Sequence, residues 1–246
     1  MADRLFADPV LAELYDRWDP WQQRADFRFY LPLVMSARAV LDVGCGTGEL
    51  LGLARQAGHT GRLCGLDPAP GMLQQARQRP DIEWVAGDAA SASWDREFDL
   101  AIMTGHAFQA LVEDDDIANA LAAIRAALTP VGRFAFETRH PLARAWENWT
   151  PASAVQVIGP AGSLVRMTHE VRAPFDGRTV TFTSTFTSPG WDSPEVSQST
   201  LRFLDAGPLS LFLSRAGLII EEQFGDWDRQ PLTAASPEII TIARPA

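Results

Sequence analysis

Three groups of residues in the first ninety positions have the types and spacing of a nucleoside site. Glycines recur at every second position after Val43, at 44, 46 and 48. Asp67 closes the next apolar run, and Gly87-Asp88-Ala89 follows the third. Glycine lets a ligand approach the backbone closely, and a carboxylate accepts hydrogen bonds from ribose hydroxyls or from an adenine amino group. Together these residues predict a site for an adenosine.

The spacing of the glycines helps to distinguish between the possible classes of adenosine ligand. A dinucleotide site requires G-x-G-x-x-G, with a helix N-terminus directed at the pyrophosphate, and here the third glycine comes one residue too early. Asp67 alone fits nicotinamide and sulfonium cofactors equally. Asp42, Asp67 and Asp88 would repel a diphosphate, and the chain contains no lysine to offset them. The charges therefore disfavour a diphosphate ligand.

Alternating strands and helices would position these residues. The first strand, 39–43, enters the glycine turn, and a helix over 49–57 leaves it. The same pattern predicts further strands over 62–66, 82–86, 98–103 and 133–137, helices over 71–78 and 116–128, and a turn at Thr129–Gly132. Such alternation predicts an α/β fold whose parallel sheet is covered by helices on both faces. The acidic run 113–116 is expected to cap a helix rather than to bind a metal.

The ends of the chain and one insertion complete the predicted organisation. Residues 7–36 read as two helices broken at Asp19-Pro20, and residues 153–203 alternate as antiparallel strands, with Val180, Phe182 and Phe186 on one face. Turns are expected at Gly159–Gly162 and Phe175–Gly177, then a helix over 208–216 and strands over 218–223 and 238–243. We predict a single domain over 1–246, divided into an N-terminal helical cap (1–38), a cofactor-binding core (39–140), an inserted antiparallel lid (141–203) and a return to the core (204–246).

Composition restricts the partners. The 246 residues are 46% hydrophobic and carry 21 basic against 31 acidic side chains, a net charge of −10. An acidic surface repels phosphate backbones, so we expect no nucleic-acid partner. The start lacks the apolar core of a signal peptide, and the chain lacks a run of 18 apolar residues, so we expect a cytoplasmic protein without a membrane partner. Two cysteines are too few for a disulfide framework or a zinc knuckle, and no metal is expected. The oligomeric state stays open.

Three segments at these spacings resemble the motifs of the class I S-adenosylmethionine-dependent methyltransferases. They are Val40-Leu-Asp-Val-Gly-Cys-Gly-Thr-Gly48, Gly65-Leu-Asp67-Pro68 and Gly87-Asp88-Ala89. The resemblance covers residues 39–140 and continues from about 200 to 243. It implies a Rossmann-like, seven-stranded, mostly parallel sheet. It also implies S-adenosylmethionine as cofactor, S-adenosylhomocysteine as product and a small-molecule methyl acceptor.

The resemblance also assigns roles to individual residues. Those expected to contact or support the methionine part and the ribose are Asp42, Gly44, Cys45, Gly46, Gly48 and Asp67. Those expected near the adenine are Pro68, Met72, Gly87, Asp88 and Ala89. Thr104, Gly105 and His106 would border the methyl group, and Tyr15 resembles a cap tyrosine that closes over the cofactor.

Substrate and catalytic residues are less sharply defined. His106 ends the fourth strand, where ligands bind in open α/β sheets, so it is a candidate base and a candidate contact. Arg139 and His140 are expected on the same rim, and Trp146, Trp149 and Trp191 would line a substrate chamber or fill the lid core. The main hypothesis is methyl transfer to an N or O atom of a small molecule. The alternatives are an NAD(P)-dependent oxidoreductase and a module that binds S-adenosylmethionine without catalysis.

Overall fold

Two β-sheets form the frame of the computed structural model, which describes residues 3–91, 93–159 and 162–246. The strands are β1 (Ala39–Val43), β2 (Arg62–Asp67), β3 (Glu83–Ala86), β4 (Phe98–Met103), β5 (Leu128–Arg139), β6 (Val155–Ile158), β7 (Leu164–Ala173), β8 (Thr179–Thr187), β9 (Glu195–Arg202), β10 (Leu218–Phe224) and β11 (Glu238–Pro245). The central sheet has the order β10-β11-β5-β4-β1-β2-β3, and the second has the order β6-β7-β8-β9.

The central sheet is parallel from β5 to β3 and antiparallel at its other edge. Four of its strand pairings are parallel, and the two pairings of β11, with β5 and with β10, are antiparallel. The predicted seven-stranded, mostly parallel sheet is therefore confirmed, with β11 as the reversed strand. This reversal brings the start of β11 to the edge where the parallel strands end.

The described residues form seven α-helices beside the sheets. They are α1 (Arg4–Ala7), α2 (Pro9–Trp18), α3 (Ala25–Ser36), α4 (Glu49–Gln56), α5 (Pro70–Ala76), α6 (Asp114–Ala127) and α7 (Ala206–Arg215). At the start of α6, Glu113 and Asp116 form a reciprocal capping box, as expected from the acidic run. None of the described helices combines the length and apolarity needed to cross a bilayer.

Alternate residues of each central strand pack against opposite helix layers. Leu41 and Val43 of β1 join a cluster that contains residues of α6 and α7, whereas Val40 joins a cluster that contains residues of α3 and α4. This is the period-two pattern of a sheet buried on both faces. Helix α3 packs in the same layer as α4, and the predicted cap over 1–38 stays a prediction.

The turn predicted at Thr129–Gly132 is instead an irregular part of β5. Leu128 pairs with Phe98 and Arg133 pairs with Leu100, so four residues of β5 oppose the single residue Asp99. The extra residues bulge outward, and Val131 is 85% exposed. A bulge keeps the strand continuous where a turn would have ended it.

The second sheet forms the lid, as predicted from its alternating sequence. Val180 and Phe186 of β8 are buried, and Phe182 is partly buried on the same face. The predicted turn at Phe175–Gly177 joins β7 to β8, with Asp176 Oδ1 accepting backbone N–H groups at 2.7 and 2.8 Å. The turn predicted at Gly159–Gly162 has its two central residues outside the described residues.

The cap lies against both the core and the lid. Asp3 accepts a hydrogen bond from Ser199 at 2.5 Å, and Leu5 N–H donates to Ser197 Oγ at 2.9 Å. Trp18 packs on Phe186 of the lid with ring centroids 5.0 Å apart. Helix α2 also packs on α5 of the core. Cap and lid therefore adjoin each other beside the core.

Candidate active site

The glycine turn after β1 leaves one open backbone position. Gly46 has a φ of +55°, and a Cβ placed there would meet no atom within 4 Å. Gly48, with a φ of +73°, begins α4, and a Cβ there would lie 2.2 Å from the Trp84 indole. Gly46 therefore faces space that a ligand can occupy, whereas Gly48 is required by the packing of the protein itself.

Asp67 at the end of β2 is fixed by two backbone amides. Its Oδ1 accepts from Ala69 N–H and its Oδ2 accepts from Gly46 N–H, both at 2.8 Å. Burial raises the pKa of this carboxyl. Each carboxylate oxygen has a second lone pair, so both can still accept a hydrogen bond from a ligand hydroxyl.

Asp42 is a buried carboxylate without a partner among the described residues. It is 1% exposed, and its Oδ1 is enclosed and accepts no hydrogen bond. Burial, with a further contribution from nearby Asp67, raises the pKa of Asp42 to about 8. Buried polar atoms are nearly always satisfied in native proteins. The orphaned oxygen therefore indicates a place for a ligand donor.

Arg24 supplies the opposite charge in the same pocket. The pocket is lined by Asp42, Arg24, Tyr15 and the glycine turn, together with Thr104 and Gly105. Asp26 holds the guanidinium through Nε at 3.1 Å and Nη2 at 2.5 Å, and the Phe27 ring lies 4.0 Å below it. The remaining nitrogen, Nη1, makes no hydrogen bond with the described residues. A pocket with one free cationic donor and one unpartnered carboxylate fits a ligand that carries both a carboxylate and an ammonium.

Two of the predicted cofactor residues have structural contacts that explain their burial. Cys45 packs on Leu73, Ala76 and Trp84, and burial raises the pKa of its thiol well above the usual value. Tyr15 lines the pocket beside Arg24. Its predicted closure over the cofactor agrees with that position and stays a prediction.

The predicted adenine residues lie along the neighbouring strand ends. Asp88 is exposed, and its Oδ1 accepts from Ser91 N–H at 2.9 Å, whereas its Oδ2 has no partner among the described residues. Gly87 precedes it, Ala89 follows in the same turn, and Pro68 is exposed. Met72 is only 2% exposed, because the cap covers it. Contact of Met72 with an adenine therefore stays a prediction that this packing does not favour.

A buried carboxylate fixes the turn after β4. Gly105 and His106 both have left-handed backbones, with φ of 66° and 63°. His106 N–H donates to Glu137 Oε1 at 2.7 Å, and the Tyr30 hydroxyl donates to Glu137 Oε2 at 2.5 Å. A left-handed conformation costs a non-glycine residue about 1–2 kcal/mol. The Glu137 contact offsets that cost and sets the direction of the His106 side chain.

The His106 ring is bound to a second carboxylate, Glu238 at the start of β11. Nε2 lies 3.0 Å from Glu238 Oε2 and 3.1 Å from Oε1. Burial lowers the pKa of His106 to about 3 and raises the pKa of Glu238 to about 7. The imidazole is therefore neutral near pH 7, and an ionised Glu238 accepts a hydrogen bond from Nε2–H. The Nδ1 lone pair, which has no partner among the described residues, is then free to accept a hydrogen bond.

Of the predicted substrate residues, Arg139 and Trp149 lie together. The guanidinium carbon is 5.5 Å from the Trp149 ring centroid. Trp146 stacks on Phe175 with centroids 4.7 Å apart and lies in the lid core. Trp191 follows β8 in the turn to β9. The structure therefore brings Arg139 to Trp149, which packs in the same cluster as Trp146.

His140 also has a structural role. Its ring is 6% exposed, and Nδ1 accepts from Leu142 N–H at 3.1 Å, which caps the short 3-10 helix 141–143. This contact accounts for a histidine here without a substrate.

Sequence reasoning missed four residues of the site: Arg24, Tyr30, Glu137 and Glu238. Glu137 carried one usable signal, because an acid follows the apolar run Phe134–Phe136 at the end of a strand. The others lie far from the motifs, and only the tertiary fold brings them to this edge. Among the described residues, no group of three or more His, Cys, Asp or Glu side chains is arranged to hold a metal ion.

Comparison with known proteins agrees with this arrangement. The profile of a family described as methyltransferase domain matches residues 40–132. A 2-phytyl-1,4-naphtoquinone methyltransferase of Thermosynechococcus vestitus is 36% identical over 154 residues, which are 56% of this chain and 66% of that protein. A trans-aconitate 2-methyltransferase of Escherichia coli is 25% identical over 83% of this chain and 85% of its own length. The alignments with the first four relatives span 36–66% of those relatives' length.

Solved structures share the fold over nearly the whole chain. The CcbJ methyltransferase of Streptomyces caelestis superposes with a TM-score of 0.72 at 20% identity, covering 97% of this chain and 99% of its own. The fold is thus Rossmann-like, like that of these methyltransferase structures. The family match over residues 40–132 and these relatives support the predicted class I S-adenosylmethionine-dependent methyltransferase.

Proposed function

We propose that the chain transfers the methyl group of S-adenosylmethionine to an N or O atom of a small molecule. The observation that carries the proposal is the pair formed by the orphaned Asp42 carboxylate and the free Nη1 of Arg24. The amino-acid end of S-adenosylmethionine bears the ammonium and the carboxylate that such a pocket pairs with. The sulfonium adds a further positive charge that suits the acidic strand ends.

The residues present fit the rest of the cofactor. Gly46 leaves room beside its backbone, Asp67 retains a lone pair on each oxygen for the ribose hydroxyls, and Asp88 Oδ2 can accept from the adenine amino group. When bound, S-adenosylmethionine supplies an electrophilic methyl group. The task of the chain is to align the acceptor with that group and to exclude water. Alignment of this kind contributes roughly 7–11 kcal/mol to such reactions.

His106 would act as the base when the acceptor is a hydroxyl or an ammonium. Its Nδ1 takes the acceptor proton, while Glu238 accepts from Nε2–H and stabilises the imidazolium that forms. Glu137 and Tyr30 are positioning residues, because they hold the backbone of His106 without reaching its ring.

The relatives support a small-molecule acceptor but do not identify it. One is named for a naphthoquinone and another for trans-aconitate. A structural neighbour is an amino pentose methyltransferase in the calicheamicin pathway. These molecules share only their small size. A cytoplasmic location and the absence of a nucleic-acid partner stay predictions from the composition.

Calorimetry separates this proposal from a nicotinamide-dependent oxidoreductase. We expect S-adenosylhomocysteine to bind with one site per chain and NADH and NADPH to give no heat. Binding of a nicotinamide dinucleotide without binding of S-adenosylhomocysteine would refute the proposal.

A transfer assay separates an enzyme from a non-catalytic binding module. Labelled S-adenosylmethionine is incubated with a broad panel of amines, phenols and acids, with His106→Ala as the control. We expect label in at least one product with the wild-type chain, and label reduced about 10²–10⁴-fold with the variant. Tight cofactor binding without transfer across the panel would support the binding module.

A further inference from the structure

Arg139 is a cation without an ion pair among the described residues. Strand register places it directly opposite Glu238, at the Arg139–Glu238 pair of β5 and β11. Directly opposed side chains on neighbouring strands normally interact, and opposite charges stabilise each other there. Yet Glu238 bonds to His106 instead, and Arg139 forms no salt bridge with the described residues. Arg139 and Glu238 could therefore pair with each other, but their side chains make different contacts.

The orientation of Arg139 is set by a fixed amide. Gln109 is fully buried, and its Nε2 donates to the Arg202 carbonyl at 2.9 Å. Its Oε1 therefore faces Arg139 and accepts from Nη1 at 3.0 Å and from the backbone N–H at 3.3 Å. This contact uses one of the five guanidinium N–H groups. The donors on Nε and Nη2 have no acceptor among the described residues.

Apart from the nearby carboxylates of Glu238 and Glu137, the described neighbours of Arg139 are mainly aromatic. The guanidinium lies over the Trp149 ring, which packs on Phe182 with centroids 4.6 Å apart. His169 edges the same Phe182 ring and shares a hydrogen bond with Ser184 Oγ. Burial and the charge of Arg139 lower the pKa of His169, so it stays neutral at pH 7. Burial lowers the pKa of Arg139, so an unpaired charge here is costly and a bound anion would be held strongly.

We propose that Arg139 binds a carboxylate of the methyl acceptor and thereby holds the acceptor atom beside His106. The inference rests on the proposed function and adds the class of substrate, a small carboxylic acid with an apolar or aromatic body. The planar guanidinium offers Nε and Nη2 as a fork that matches the two oxygens of a carboxylate. Trp149 and Phe182 offer the apolar surface against which the body of the acid packs.

Matched acids and amides test this inference in the complex with S-adenosylhomocysteine. The probes are benzoate, phenylacetate, cinnamate and succinate, each paired with its neutral amide, and calorimetry gives the affinities. We expect at least one acid to bind about 10- to 100-fold more tightly than its amide. Arg139→Gln should abolish this preference, and Arg139→Lys should retain part of it.

Two controls make the result specific. Affinity for S-adenosylhomocysteine, measured first, should be unchanged in Arg139→Gln, which shows that the variant is folded and that the proposed cofactor site stands independently. Arg172→Gln, at an exposed lid arginine paired with Glu170, should bind the acids like the wild type. If no acid is preferred to its amide, or if the preference persists in Arg139→Gln, the inference is overturned.

Discussion

At the scale of single residues, Asp42 combines a stability cost with a binding role. An ionised carboxylate buried without a partner disfavours folding, since its folded pKa of about 8 lies above the ordinary 3.8. For an acid whose folded pKa is raised, stability decreases as the pH rises from the unfolded pKa through the folded one. Ammonium binding in the pocket would remove this cost.

We therefore predict that Asp42→Asn stabilises the ligand-free protein at alkaline pH and weakens cofactor binding. The difference in free energy of unfolding between Asp42→Asn and wild type should grow by roughly 1–4 kcal/mol between pH 5 and pH 8. Urea unfolding at both values measures it. Asp95→Asn, at a side chain that is 91% exposed, is the control and should show no such pH dependence. A variant that loses stability equally at both pH values would contradict the account of Asp42.

The His106–Glu238 pair predicts a rate that rises with pH through about 7. Below that pH the Glu238 carboxyl is protonated and donates a hydrogen bond to Nε2. The neutral imidazole then carries its own proton on Nδ1, which leaves Nδ1 without a free lone pair. Above it the ionised carboxylate accepts from Nε2–H and frees Nδ1 as the base. Arg139, Glu137, Asp26 and Arg24 are the other charged groups that act on this pair.

The pH profile of methyl transfer checks this prediction. In Glu238→Gln we expect the ascending limb near pH 7 to disappear and the rate to decrease, with S-adenosylhomocysteine affinity unchanged. A limb that survives at the same pH in the variant would show that another group controls the rate.

The sequence identified the residues of local motifs and missed those that depend on distant contacts. The glycine turn, Asp67 and Asp88 lie at the ends of successive strands within fifty residues, so their spacing predicted one site, whereas the role of Asp42 came from the resemblance. Arg24 and Glu238 carried no such signal. Glu238 reaches the site only because β11 runs antiparallel, a reversal that no local pattern indicates.

At the scale of elements, two glycines of the same turn have different roles, one in ligand binding and one in folding. Gly46→Ala and Gly48→Ala both place a side chain in the left-handed region, at about 1–2 kcal/mol each. Only Gly48→Ala also meets the Trp84 ring. We predict that Gly46→Ala folds with a small loss of stability and loses cofactor affinity by at least about 10-fold, whereas Gly48→Ala is much less stable.

Urea unfolding and calorimetry together distinguish the two variants. Equal destabilisation by both substitutions, or normal binding by Gly46→Ala, would contradict the roles assigned to the turn.

The boundaries of most core elements were predicted to within two residues. The exception was β5, where a bulge replaced the expected turn.

At the scale of the whole molecule, the cap and the lid adjoin each other on one side of the core. The contacts of Asp3 and Leu5 with β9, and of Trp18 with Phe186, mean that the two segments are coupled. Asp16 of α2 also accepts from Thr47 of the glycine turn at 2.9 Å. The division into one domain with cap, core and lid stays a prediction, and these contacts support it.

We predict that S-adenosylhomocysteine slows amide hydrogen exchange in α2. A ligand at 100 times its dissociation constant stabilises the bound form by about 2.7 kcal/mol. Amide exchange that requires the ligand to be released first should therefore slow by about 100-fold. Exchange by mass spectrometry measures this, with local exchange in α7 as the internal control. Unchanged exchange in α2 at saturation would show that the cap does not close over the ligand.

The central claim is that Asp42 and Arg24 receive the two charged ends of an amino-acid group attached to an adenosine. A crystal structure of the chain with S-adenosylhomocysteine tests it directly. We predict the ligand ammonium within hydrogen-bond distance of Asp42 Oδ1, the ligand carboxylate at Arg24 and the ribose on Asp67. A ligand whose amino-acid end lies elsewhere, or a diphosphate bound at the glycine turn, would contradict the account.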